Sequence, residues 1–210
     1  LQRELRGALE QLGKRDFLSS LFPFDQSKDG EGRFSDKTIH EISKACVEMG
    51  KVKTGALIVV EQNDPLTEYE RTGIAVDRIV TSQLLINIFE HNTPLHDGAV
   101  IVRGDRITSA TCYLPLSDNM SLSKELGTRH RAGVGVSEAT DSMTVIVSEE
   151  TGQISVAYEG NLSRGLSGAE LEEELKKIQN KPDGEKEKKS RVRSVKGRIW
   201  KGRPKDEKTK

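Results

Sequence analysis

The chain is 210 residues long with 34% hydrophobic and 4% aromatic residues, which suits one domain plus appendages and argues against two full domains. Its 33 Lys/Arg and 33 Asp/Glu cancel, which argues against an overall nucleic-acid or acidic-substrate bias, yet residues 181–210 hold thirteen basic against five acidic side chains, so the tail is +8 and residues 1–180 are −8. Two cysteines in no metal-binding spacing, Cys46 and Cys112, argue against a disulfide framework or a structural zinc site, and no apolar run approaches the roughly 18 residues of a membrane span.

Both cysteines sit in apolar patterns and read as small buried hydrophobes in a reducing compartment. Leu1, Leu5, Ala8, Leu9 and Leu12 share one helical face that ends at Gly13, a linker or docking helix over 1–16. It starts in mid-pattern at Leu1 and shows no signal-peptide signature, so the sequence is expected to come from a longer protein. Residues 23–34 read as a loop. Ser35-Asp36 caps a helix whose buried face is Ile39, Ile42, Cys46 and Met49, with Gly50 as its stop. Gly55 to Val60 is a continuous apolar run, expected as a central strand covered on both faces.

A polar loop around Asp64-Pro65 leads to a helix from Thr81, with Leu84, Leu85, Ile88 and Phe89 buried, that closes before Asn92-Thr93-Pro94. Ala99 to Val102 and Ile107 to Leu114 flank Arg103-Gly104-Asp105-Arg106 as a hairpin. Ser121 to Leu126 reads as a helix start running into Gly127 to Gly135. Met143 to Ser148 and Gln153 to Tyr158 form a second hairpin around Thr151-Gly152, and Ser167 opens a last helix through Leu171, Leu175 and Ile178. Past Pro182 charge dominates, so a folded domain over 17–180 and a disordered basic tail over 181–210 are expected. The fold class is α/β: a single globular domain with a mixed central β-sheet flanked by helices.

Three polar clusters adjoin apolar strands. Asp97 in His96-Asp97-Gly98-Ala99 could activate a hydroxyl or bind a metal, and Gly98-Ala99 lets a bulky ligand approach the backbone. Thr128-Arg129-His130-Arg131, between Gly127 and Gly133, offers guanidiniums, an imidazole and a hydroxyl to the oxygens of a polyphosphate. Ser148-Glu149-Glu150 places a hydroxyl and carboxylates at a strand end, suited to phosphate and metal. Taken singly, these read as a turn, a solvated patch and a hairpin shoulder. Neither a Walker-type loop nor a G-x-G-x-x-G after a strand is present, and Gly133-Val134-Gly135 is too short to be one.

In this order, and with both the Asp-Gly-Ala and Arg-His-Arg motifs intact, the clusters resemble the diadenylate cyclase family over roughly 35–160, and residues 1–16 resemble the segment joining that domain to transmembrane helices in the membrane-anchored branch. The resemblance implies condensation of two ATP into cyclic di-AMP and two pyrophosphates by a homodimer whose protomers meet face to face. On that reading Asp97 orients or deprotonates the 3′-hydroxyl, and Thr128, Arg129, His130 and Arg131 hold the phosphates. Ser148 touches the distal phosphates, Gly98 and Ala99 lie against the nucleotide, and Tyr113 and Leu114 border the adenine. His96, Asp97 and Glu150 complete a divalent metal site, with Mn2+ favoured and Mg2+ or Co2+ open. The implied setting is a cytoplasmic domain, anchored to the cell membrane by helices outside this sequence and open to regulatory protein partners. Two ATP molecules, each carrying about four negative charges, repel when brought together, which gives the arginines and the metal their purpose in an acidic body. The alternative is a nucleotide-binding regulatory module without catalysis, for which Asp97 has no use. Nucleic acid is not expected as the main ligand, although the basic tail could meet RNA or an anionic membrane surface.

Overall fold

Ser35 starts the first helix of the described residues, as its sequence position suggests: its Oγ accepts from the Thr38 amide at 3.3 Å, and the Asp105 carboxylate accepts from Ser35 N, Ser35 Oγ and Thr38 Oγ1 at 2.8, 2.9 and 2.7 Å. The computed structural model describes residues 33–120, 122–123 and 126–179; the expected helix over 1–16, nearly all of the expected loop at 23–34 and the tail over 181–210 lie outside them. Helix α1 (Asp36–Lys51) buries Ile39, Ile42, Cys46 and Met49 on one face, each aliphatic side chain contributing about 1.5–3 kcal/mol. Gly50 does not stop it. The chain turns at Lys53, whose φ is +56°, while Gly50 packs on the backbone of Gly152, leaving no space for a side chain.

The strands are β1 (Ala56–Val60), β2 (Ile74–Ile79), β3 (Ala99–Arg103), β4 (Arg106–Cys112), β5 (Met143–Val147), β6 (Ile154–Tyr158) and β7 (Asn161–Leu166), arranged β2-β4-β3-β1-β5-β6-β7. Among the described strands only β1 and β3 pair in parallel, with Ile58 opposite Val100, so the sheet is mixed. All five β1 residues are buried, and the strand is central, as its unbroken apolar run implies. Helices α1, α3 (Ser82–Phe89) and α5 (Gly168–Ile178) cover one face through Ile58, Val100 and Val145. The other face, with Leu57, Val59, Ile101 and Ile146, packs against α4 (Thr128–Ala139) and the short α2 (Thr67–Glu70). The helix α5 opens on a capping box between Ser167 and Glu170.

Four expectations shift. Residues 67–79, read within a polar loop, form α2 and β2, and β7 was not expected; both strands are exposed sheet edges, so neither carries the apolar alternation that announces a half-buried strand. Strand β4 ends at Cys112, two residues early, after Thr111 takes a φ of +61°. The helix expected to start at Ser121 begins at Thr128 instead, and the described residues Leu122, Ser123 and Leu126 lie outside it. Among the described residues no helix is long and apolar enough to cross a membrane.

Candidate active site

The Arg-His-Arg motif occupies the first turn of α4. Gly127 is its N-cap and makes no side-chain capping bond, so the first amides of the helix are left to an incoming acceptor, where the helix dipole favours negative charge. These amides border a cavity of about 210 Å³ whose wall continues through Thr128, Arg129, His130, Ser148, Glu150 and Arg164. The face alternation of β5 explains why Ser148 is there: Thr144 and Ile146 point to the α4 side, and Ser148 continues their parity. Its Oγ accepts from the amides of Glu150 and Thr151 at 3.3 and 3.2 Å, which leaves the hydroxyl hydrogen to donate. His130 is 7% exposed, with Nε2 3.5 Å from Ser155 Oγ. Burial and then the charge of Arg164 lower its pKa, while Glu150 opposes them, so the ring is neutral at neutral pH.

A second cavity of about 470 Å³ adjoins the first and shares Thr128, Arg129 and Glu149 with it. His96, Asp97 and Gly98 form one side, and Tyr113, Leu114 and Leu116 form an apolar wall against Leu57 and Ala132. The shape depends on a bulge: Thr111, β-branched yet left-handed, adds a residue to β4 between the pairs Ala99–Cys112 and Ile101–Ser109, a conformation costing about 1–3 kcal/mol. Gly98, at φ +94°, lies against that bulge, and a Cβ there would be 2.8 Å from the Thr111 carbonyl carbon. Asp97 is exposed in the cavity and has no hydrogen-bond or ion-pair partner among the described residues. His96 Nδ1 lies 2.6 Å from the Thr93 carbonyl, an acceptor that fixes the proton on Nδ1 and leaves the Nε2 lone pair available.

Between the cavities Arg129 Nη1 donates to Glu149 Oε2, and Gly55 makes room for the pair, since a Cβ there would lie 2.9 Å from Nη1. Thus Asp97, Gly98, His96, Tyr113, Leu114, Thr128, Arg129, His130, Ser148 and Glu150 all line one of two joined spaces. Arg131 lines neither: residues two apart on a helix point about 200° from each other, so Arg129 and Arg131 cannot both face the same phosphate within one protomer. Ala99 is buried in β3, and its small side chain belongs to the core. The expected metal set is divided, with His96 and Asp97 in the larger cavity and Glu150 in the smaller, and among the described residues no group of three His, Cys, Asp or Glu is placed to hold an ion. Sequence reading missed Glu149 as a partner of Arg129, and also Thr151 and Arg164; Glu149 lies within the Ser148-Glu149-Glu150 cluster and Thr151 follows it, whereas Arg164 sits on an unexpected edge strand.

An α/β domain that joins an apolar-walled cleft to one where two guanidiniums meet a helix N-terminus is a nucleotide-binding architecture. The family model described as "DisA bacterial checkpoint controller nucleotide-binding" matches residues 43–162. The chain is 48% identical over 203 residues to the cyclic di-AMP synthase CdaA of Bacillus subtilis, covering 96% of this chain and 69% of that protein. It is 50% identical over 177 residues to a diadenylate cyclase of Listeria monocytogenes, covering 84% of this chain and 61% of that protein. A crystal structure of a DacA double mutant from Staphylococcus aureus superimposes with a TM-score of 0.68 at 51% identity, covering 69% of this chain and 97% of that one. A hypothetical membrane-spanning protein from Bacillus cereus does so with a TM-score of 0.58 at 44% identity, covering 60% and 62%. The chain belongs to the diadenylate cyclase family.

Proposed function

We propose that this chain condenses two ATP molecules into cyclic di-AMP, each protomer of a homodimer holding one nucleotide. The observation that carries the reading is the junction of the two cavities at Thr128 and Arg129: an adenosine against Tyr113 and Leu114 in the larger space directs its phosphates over that junction into the smaller one. In each half-reaction the 3′-oxygen of one nucleotide attacks the α-phosphorus of the other, a new P–O bond forms, the bond to the bridging oxygen of pyrophosphate breaks, and the hydroxyl proton leaves to a base. Asp97, unpaired in the larger cavity, is suited to orient that hydroxyl and accept its proton. Thr128, Arg129, neutral His130 and Ser148 hold phosphate oxygens, and the freed amides of α4 add donors. Arg131, on the opposite side of the helix and with no side-chain partner among the described residues, is available to the nucleotide of the facing protomer.

The donor set fits a divalent ion that takes only part of its shell from the protein. Asp97 and the free Nε2 of His96 would hold it, with phosphate oxygens and water filling the rest, and a nitrogen donor suits Mn2+ or Co2+ better than Mg2+. When bound, such an ion neutralises phosphate charge and lowers the pKa of a coordinated hydroxyl. Glu150, in the smaller cavity, would reach the ion only through the distal phosphates.

Because one protomer presents one nucleotide, two must meet for reaction. Tyr113, Leu116 and Met120, exposed by 71%, 56% and 93%, provide an apolar rim for that meeting. Activity per protomer should therefore fall on dilution below the dimer constant while ATP binding persists, as read by product formation and by titration on the same samples. Turnover per protomer independent of concentration down to a monomer seen by light scattering would sink the two-protomer mechanism. Kinship with a protein described as membrane-spanning supports anchoring at a membrane, with this domain on the side where ATP is found.

A further inference from the structure

Arg164 lines the smaller cavity from β7, yet none of the roles assigned so far falls to it. Its direction follows from register. Arg164 faces Ser155 across the β6–β7 ladder, and cross-strand neighbours share a sheet face; Ser155 Oγ is the atom beside His130 Nε2. Leu162, two residues earlier, packs in the core on that same α4 side. The register then shifts between Ile154 and Ser155, with Gly165 at φ +72°, and Leu166 packs in the core of the opposite face. Without the bulge Leu166 would continue on the side of Leu162 and Arg164. The bulge thus makes Arg164 the last β7 side chain on the α4 face and sets it at the cavity wall.

Among the described residues no side chain pairs with it. Arg33, Arg71, Arg103, Arg106 and Arg129 each donate to a side-chain oxygen. Arg164 has no hydrogen bond or ion pair among the described residues, although Glu150 lines the same cavity. Its charge acts on His130, whose proton affinity it lowers.

We propose that Arg164 holds the distal phosphates of ATP and the pyrophosphate they become. This rests on the reading of ATP as substrate. Arg129 stands where the two cavities join and so faces the phosphate nearest the ribose, whereas Arg164 lines only the smaller cavity. As the P–O bond to pyrophosphate breaks, charge grows on the departing oxygens, and a guanidinium already free of other partners meets it without first giving up an ion pair. Its exposed edge position keeps the leaving group next to solvent.

The test is titration calorimetry of the full chain and of Arg164→Ala, Arg164→Gln and Arg164→Lys, using ATP with Mg2+ and, separately, cyclic di-AMP, which lacks distal phosphates. Loss of a charge-assisted contact at a partly solvated site should weaken ATP binding about tenfold in the Ala and Gln variants. Cyclic di-AMP affinity and melting temperature should stay near wild type, Lys should recover part of the loss, and KM for ATP should rise. Equal losses for both ligands, or no loss for ATP in a variant that melts as wild type does, would overturn the role of Arg164. A wild-type chain that binds no ATP would overturn the substrate reading itself, and the role of Arg164 with it.

Discussion

A single methyl group on α4 tests how the cavity wall is held. Gly135 sits on the helix where the chain between β4 and α4 crosses it, and a Cβ there would lie 2.2 Å from Pro115 O and 2.8 Å from Ser117 N. Helix propensity alone favours Gly135→Ala by about 1 kcal/mol. The contact reverses the sign, because both atoms are backbone and cannot swing aside. Moving 115–117 outward gives up the bonds from Ser117 N to Arg131 O at 3.0 Å and from Ser117 Oγ to Glu138 Oε1 at 2.9 Å. Overpacking at about 1–3 kcal/mol and about 1 kcal/mol for each lost bond, less the propensity gain, leave a net destabilisation of about 2–4 kcal/mol. For a domain of this size that lowers the melting temperature by roughly 5–15 °C. Because 113–116 forms the apolar wall, KM for ATP should rise as well. Far-UV circular dichroism melts of both proteins decide the matter, and a variant that melts at or above wild type would refute the close-contact argument.

Two other changes probe the charged groups of the site. Glu149 and Arg129 are 56% and 23% exposed at their side chains, so their ion pair contributes about 1 kcal/mol at most, and phosphate must displace it. Glu149→Gln should therefore tighten ATP binding about two- to fivefold by titration calorimetry; a tenfold loss would show that the carboxylate itself is needed by the ligand. His130 has its pKa lowered from 6.5 by burial and by Arg164, against the pull of Glu150. Below that value the unfolded chain takes up a proton that the folded chain resists, so the stability tied to His130 is present above pH 6.5 and is lost as pH falls through the folded pKa. Urea midpoints measured from pH 7.5 to 5 should fall more steeply for wild type than for His130→Gln; parallel curves would mean that the imidazole charges freely in the folded protein.

What the sequence made legible was the part of the fold that buries apolar surface. The α1 stripe of Ile39, Ile42, Cys46 and Met49, the fully covered β1 and the hairpin strands β5 and β6 all follow from periodicity, because each must hide its side chains. The two edge strands escaped because each is exposed, pairs on one side only and carries a bulge that breaks its alternation, and Arg164 escaped with β7. The polar motifs were legible as a set, since Asp97, the Arg129-His130 pair and Ser148 come from three separate stretches of sequence and line joined cavities in the fold. Their division of labour was not. That Arg129 faces the site while Arg131 does not is a property of helical geometry that emerges only once α4 is known to begin at Thr128. Likewise Gly133 and Gly135, read against phosphate-loop patterns, serve packing: one meets Ile146 and Thr144, and the other meets the 115–117 backbone.

The most direct measurement is anion-exchange chromatography with mass detection on ATP incubated with the chain and Mn2+ or Mg2+, beside Asp97→Asn. The account predicts cyclic di-AMP and pyrophosphate from wild type, and ATP bound but unreacted with the variant. Cyclic di-AMP formed equally by both would remove Asp97 from the chemistry, and ATP bound but unchanged by a dimeric wild type under either metal would contradict the cyclase mechanism.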